Sequence, residues 1–211
     1  MSKIIEEDKK ILVKWIDDFI EKATVSYQPS ISNYVSKLRE QDPEISNIKL
    51  AKKILSRKSL KNGLVGAITG VGGMITLPFT VPADLIVTWQ MQVYLALTIA
   101  HIFGHTDKTT DLKTDVYIII AGDTSKEALK RLGIEIGTAV TQKAIQKNVT
   151  KEMMTKIWKV IPQKIITKAG QKSVTSFSKM VPLIGAPIGF IFDYFATRTV
   201  GNMAIKYYSG L

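Results

Sequence analysis

Apolar residues recur at helical spacing along most of the chain. Between residues 3 and 24, Ile4, Ile5, Ile11, Leu12, Trp15, Ile16, Phe19 and Ile20 share one side of a helical period, with Asp and Glu between them. This pattern predicts an amphipathic helix. Its polar side is acidic as much as basic, so docking on protein, its own domain included, is expected over lying on a membrane. A Tyr27-Gln28-Pro29-Ser30 link leads to a shorter helix near Ile31 to Leu38. Asp42-Pro43 is read as the cap of a third helix running to Lys61, with Ile45, Ile48, Leu50, Ile54 and Leu55 facing inward.

The pattern then changes. From Lys61 to Asp107 the only charged side chain is Asp84. Gly63, Gly66, Gly70 and Gly73 follow a spacing that puts all four within about 80° of one another on a helix. Each mid-helix glycine costs about 0.8–1 kcal/mol relative to alanine, so such a helix needs a neighbour packed against its bare side. Pro78 and Pro82 break it and open a second helix that ends at Gly104, giving an apolar hairpin. Residues 63–83 are uncharged over a length that nominally spans a bilayer, but they carry five glycines and two prolines. A buried core hairpin and a membrane-inserted or re-entrant one both stay open.

Residues 107–121 read as a linker and a helix; a strand over the β-branched run at 116–120 would have no partner strand. Asp123-Thr124-Ser125 opens a long helix to Lys147, and another precedes Pro162. Pro182 starts a final helix in which Gly185, Gly189, Asp193, Thr197 and Gly201 recur every four residues. Its small side is expected to fill the glycine groove of the hairpin. The fold class is therefore all-α: a single-domain helical bundle, with residues 1–40 an amphipathic extension and 41–211 the main domain.

Certain motifs carry a family likeness: TGVGGMITLPFTVPADL, then IAHIFG, and late in the chain KMVPLIGAPIGFIFDYFATRTVGNMAIKYY. Together they resemble the EcsC family of bacterial proteins, named from a member encoded beside an ABC exporter, over residues 50–208. The resemblance implies a fold and an association with membrane transport, and brings no catalytic residues.

Charge adds a direction. The chain of 211 residues has a net charge of +11, and residues 141–180 hold nine lysines against the single acid Glu152. Lys143, Lys147, Lys151, Lys156, Lys159, Lys164, Lys168 and Lys172 are the candidate lipid- or anion-binding set, each lysine near an acidic bilayer being worth about 1 kcal/mol. A solvated lysine-rich face is the bland reading of the same block. Residues 37–61 add eight basic groups against three acids. The chain has no cysteine, which excludes disulfides and thiol chemistry and fits a reducing compartment. The charged start MSKIIEEDKK lacks the apolar segment of an export signal.

Three groups of residues offer chemistry. Asp84, Asp193 and Arg198 could form a buried acid–acid–arginine cluster for hydrolysis, or a polar lock that fixes packing register. His101 and His105 have the spacing of a metal pair, but Gly104 ends the helix between them, so His105 should point elsewhere and His101 should sit satisfied where the helix dipole favours its proton. No phosphate loop or serine-hydrolase motif is present. No cofactor is expected. The lysines lack arginine and interleaved aromatics, which argues against sequence-specific nucleic-acid reading and leaves non-specific binding as a third alternative. The expected function is non-enzymatic: a cytoplasmic accessory protein peripheral to the inner face of the membrane, holding anionic lipid and serving a membrane partner such as an ABC exporter.

Overall fold

The computed structural model describes residues 2–71, 83–106, 110–122 and 182–210, and every regular element among them is α-helical. The helices are α1 (Ser2–Ser26), α2 (Gln28–Gln41), α3 (Asn47–Val71), α4 (Ala83–Ile102), α5 (Thr110–Ala121) and α6 (Pro182–Ser209). The helices proposed between Asp123 and Pro162, Gly73, and all eight candidate lysines of residues 143–172 lie outside the described residues.

The predicted Tyr27–Ser30 link shrinks to one residue. Tyr27 keeps helical angles, donates to the Ala23 carbonyl and accepts from the Ile31 amide. Pro29, in the first turn of α2, has no N–H to continue the α1 ladder. Asp42-Pro43 does not cap the third helix. Asp42 instead closes α2, its amide bonding to the Arg39 carbonyl, and its own carbonyl accepts the Ile45 amide in a turn. The cap of α3 is Ser46, whose Oγ accepts the Lys49 amide at 3.4 Å. The expected break between Lys61 and Gly63 is absent too: the basic segment and the glycines form one helix of 25 residues. Residues 116–120 lie within α5, and all are buried, as a fully covered helix requires.

At the centre, α3 pairs with α6 along most of its length, the most extensive helix pairing among the described residues. Asn62 of α3 bonds Thr197 of α6, and Leu55 abuts Gly201, so the two helices run antiparallel. A Cβ built on Gly201 would overlap Leu55 Cδ1 and lie 3.0 Å from Leu95 Cδ2, which puts Leu55, Leu95 and Gly201 in one layer. α4 must also be antiparallel to α3. A parallel α4 would ask residues 72–82 to cover about 42 Å, essentially their full extended length. Gly201 therefore packs small against large, between two leucines, rather than against another small residue. The Gly201→Val variant should lose about 1–3 kcal/mol through overpacking, visible as a lower urea midpoint with unchanged slope.

α1 and α2 share this core: Ile16, Ile20, Ala23, Ile31, Val35 and Leu38 are buried with the side chains of α3–α6. α1 thus docks on its own protein. Trp15 and Phe19 meet Trp89 of α4, and Tyr27 meets Tyr94. On its polar side, Lys113 of α5 pairs with Asp17 and Glu21, and Tyr117 donates to Asp17 at 2.8 Å.

Candidate functional site

Below the Leu55–Leu95–Gly201 layer the three-helix unit turns inside out. Ser59 and Asn62 follow Leu55 on one stripe of α3, Thr88 and Gln92 precede Leu95 on one stripe of α4, and Asp193 and Thr197 precede Gly201 on α6. All six are buried, the most exposed being Gln92 at 4 %. Counting equal rises from the leucine layer places Ser59, Gln92 and Thr197 in one layer and Asn62, Thr88 and Asp193 in the next. At these same levels each helix also exposes an apolar side chain, beside the exposed Lys61 and Thr199: Leu60 is 51 % exposed, Val87 39 % and Phe195 59 %. Scattered apolar surface is ordinary, but here three helices expose it at the level where each buries polar groups.

Beyond this belt, away from the leucine layer, the sequence carries almost no charge. Residues 62–71 of α3 and 182–192 of α6 have none, and the start of α4 has only Asp84. On the other side of the belt, α3 presents Lys49, Lys52 and Arg57 to solvent, with Lys53 half-buried, and Lys61 is exposed within the belt itself. Lys58 turns inward, its Nζ 4.4 Å from the Tyr94 ring centroid and 5.2 Å from that of Tyr34. Burial first and the charge of Lys61 second pull its pKa down.

The residues named from sequence separate. Asp84 lies in the first turn of α4, but its side chain is outside the described set. Asp193 is 2 % exposed and faces the interface. Arg198, about 140° further round the same helix, donates to the Tyr194 hydroxyl at 3.1 Å and lies over its ring. Gly63, Gly66 and Gly70 lie in α3, and antiparallel register sets that stretch opposite the Gly185–Gly189 stretch of α6.

His101 and His105 diverge. Gly104 has φ +86, which favours glycine, and its amide bonds His101 O while the His105 amide bonds Ala100 O. The helix therefore closes before His105, whose ring lies 4.9 Å from that of Tyr208. Among the described residues no group of His, Asp and Glu could hold a metal ion. The expectation that His101 is satisfied and protonated more readily is corrected. Its Nδ1 is buried without a hydrogen-bond partner, and burial, then the charge of Arg39, lower its pKa. Between that lowered value and the unfolded value near 6.5, the unfolded chain binds a proton that the fold refuses, so stability falls as pH drops through this window. Thermal midpoints at pH 7.5 and 5.5 should show the drop, and His101→Gln should reduce it.

Sequence reasoning missed the polar layers because Ser59 and Asn62 look like solvent positions in a basic helix. The partner of Asn62, Thr197, lies 135 residues away. The exposure of Leu60, Val87 and Phe195 was equally invisible, since each reads as a core residue.

Compared with known families, the chain matches the model of the EcsC protein family over residues 4–209, which takes in α1 and α2 as well as the segment carrying the motifs. No curated protein and no solved structure matches it.

Proposed function

We propose that this chain, which belongs to the EcsC protein family, is a non-enzymatic accessory protein of the membrane surface that sets the uncharged end of its α3–α4–α6 unit into an anionic leaflet. The observation that carries the reading is the ordering along α3: exposed cations at 49, 52 and 57, then the exposed Leu60 beside the exposed Lys61, then an uncharged stretch to Val71. A soluble bundle gains nothing by exposing apolar side chains around a polar interior, whereas lipid tails reward that exchange. From Leu60 to the end of α3 the rise is about 16 Å, close to half of a hydrocarbon core of about 30 Å. The unit would enter one leaflet, in keeping with the finding that no described helix is long and apolar enough to cross a membrane. The lysines of residues 143–172 would add to the attraction by sign of charge alone.

The reading places the protein on the cytoplasmic face, beside an integral membrane partner such as an exporter. Flotation with vesicles of neutral and of anionic lipid, at low and high salt, tests it. Binding to anionic vesicles that weakens in salt yet leaves a salt-resistant fraction is expected, salt removing the lysine contribution and sparing the apolar one. Absence of binding to any vesicle would overturn it.

A further inference from the structure

We infer that the two polar layers where α3, α4 and α6 meet form a binding site for a monovalent alkali cation. The argument is independent of the membrane reading. Three buried oxygens there, Ser59 Oγ, Asn62 Oδ1 and Thr88 Oγ1, have no hydrogen-bond partner. Leaving such a group unmade costs about 1–3 kcal/mol, and three in adjoining layers are a standing penalty unless something binds them. Nor do the two hydroxyls take the partner open to any helical serine or threonine. Thr24, Thr98 and Thr199 in this same chain donate to a carbonyl three or four residues back, at 2.7, 2.7 and 2.9 Å. Ser59 and Thr88 do not, so their oxygens are turned away from their own helices, and the stripes they share with Leu55 and Leu95 turn them toward α6.

The donor set selects the ligand class. Asn62 uses its Nδ2 on Thr197 Oγ1 at 2.6 Å, which leaves Oδ1, an acceptor, for the ligand. With two hydroxyl oxygens beside that amide oxygen, the groups on offer are hard, neutral oxygens. Calcium sites gather several carboxylates, and magnesium keeps its waters in a rigid octahedron. A set of neutral oxygens suits a single positive charge.

Thermal unfolding of the full chain without lipid, in sodium chloride, potassium chloride and choline chloride at equal ionic strength, tests the site. The expected result is a midpoint that rises saturably with sodium or potassium relative to choline, as ligand linkage requires. Thr88→Val and Ser59→Ala keep shape and remove one oxygen each; either should need at least tenfold more cation for the same rise. Identical curves in the three salts would overturn the inference and assign the layers to ordered water. So would a saturable response that both variants keep.

Discussion

Replacing Phe195 with aspartate should weaken binding to anionic vesicles by roughly 30- to 150-fold while the protein stays folded. Phe195 is 59 % exposed, so its apolar surface is available to lipid and its removal leaves no hole in the core. Losing that partly exposed ring from the lipid side forfeits about 1–2 kcal/mol, and the new negative charge beside anionic headgroups adds about 1 kcal/mol, which together give the stated range. Leu60→Asp should act in the same direction. Val25→Asp supplies the control: Val25 is 53 % exposed, but it ends α1 near the Tyr27–Tyr94 contact, on the leucine-layer side of the belt. Its vesicle binding should match the parent protein. Equal loss in all three variants would make the effect one of net charge, and loss in none would remove the belt from the membrane reading.

What the sequence allows to be read, and what it hides, follows from the range of the interactions involved. Gly104 was legible as a helix end because a positive φ is a local demand that one residue type meets cheaply. The start of α6 at Pro182 was legible for a similar reason, a proline in the first turn followed by small residues every four positions to Gly201. The start of α3 was misread because Asp42-Pro43 and Ser46 both look like caps, and only the Asp42–Arg39 and Asp42–Ile45 backbone bonds show which is used. The continuity of α3 through Gly63, Gly66 and Gly70 depends on α6, more than a hundred residues away, packing along it. Whether Ser59, Asn62 and Thr88 are wet or buried is likewise a property of three helices together. Asp193 and Arg198 are set on different faces by counting alone, since five residues on a helix place them about 140° apart.

Trp89→Ala should cost about 3–5 kcal/mol, the largest single loss of stability expected from a substitution in the described core. Trp89 is 4 % exposed and packs against both of the stacked aromatic rings that α1 brings to α4, Phe19 at 5.2 Å and Trp15 at 5.9 Å. Alanine there would remove the surface on which α1 docks as well as the ring itself, and small domains hold only about 5–15 kcal/mol in total. The indole Nε1 is buried without a hydrogen-bond partner, so the ring acts through its apolar area alone. Trp89→Phe therefore should stay within about 1.5 kcal/mol of the parent, since it loses area but also relieves an unmade bond. Urea unfolding followed by circular dichroism and by the fluorescence of the remaining tryptophans tests both. Coincident, shifted transitions are expected for Trp89→Ala if α1 unfolds with the rest. An early separate fluorescence transition would make α1 an independently detaching helix, and a loss below about 1 kcal/mol would mean that it contributes little to the fold.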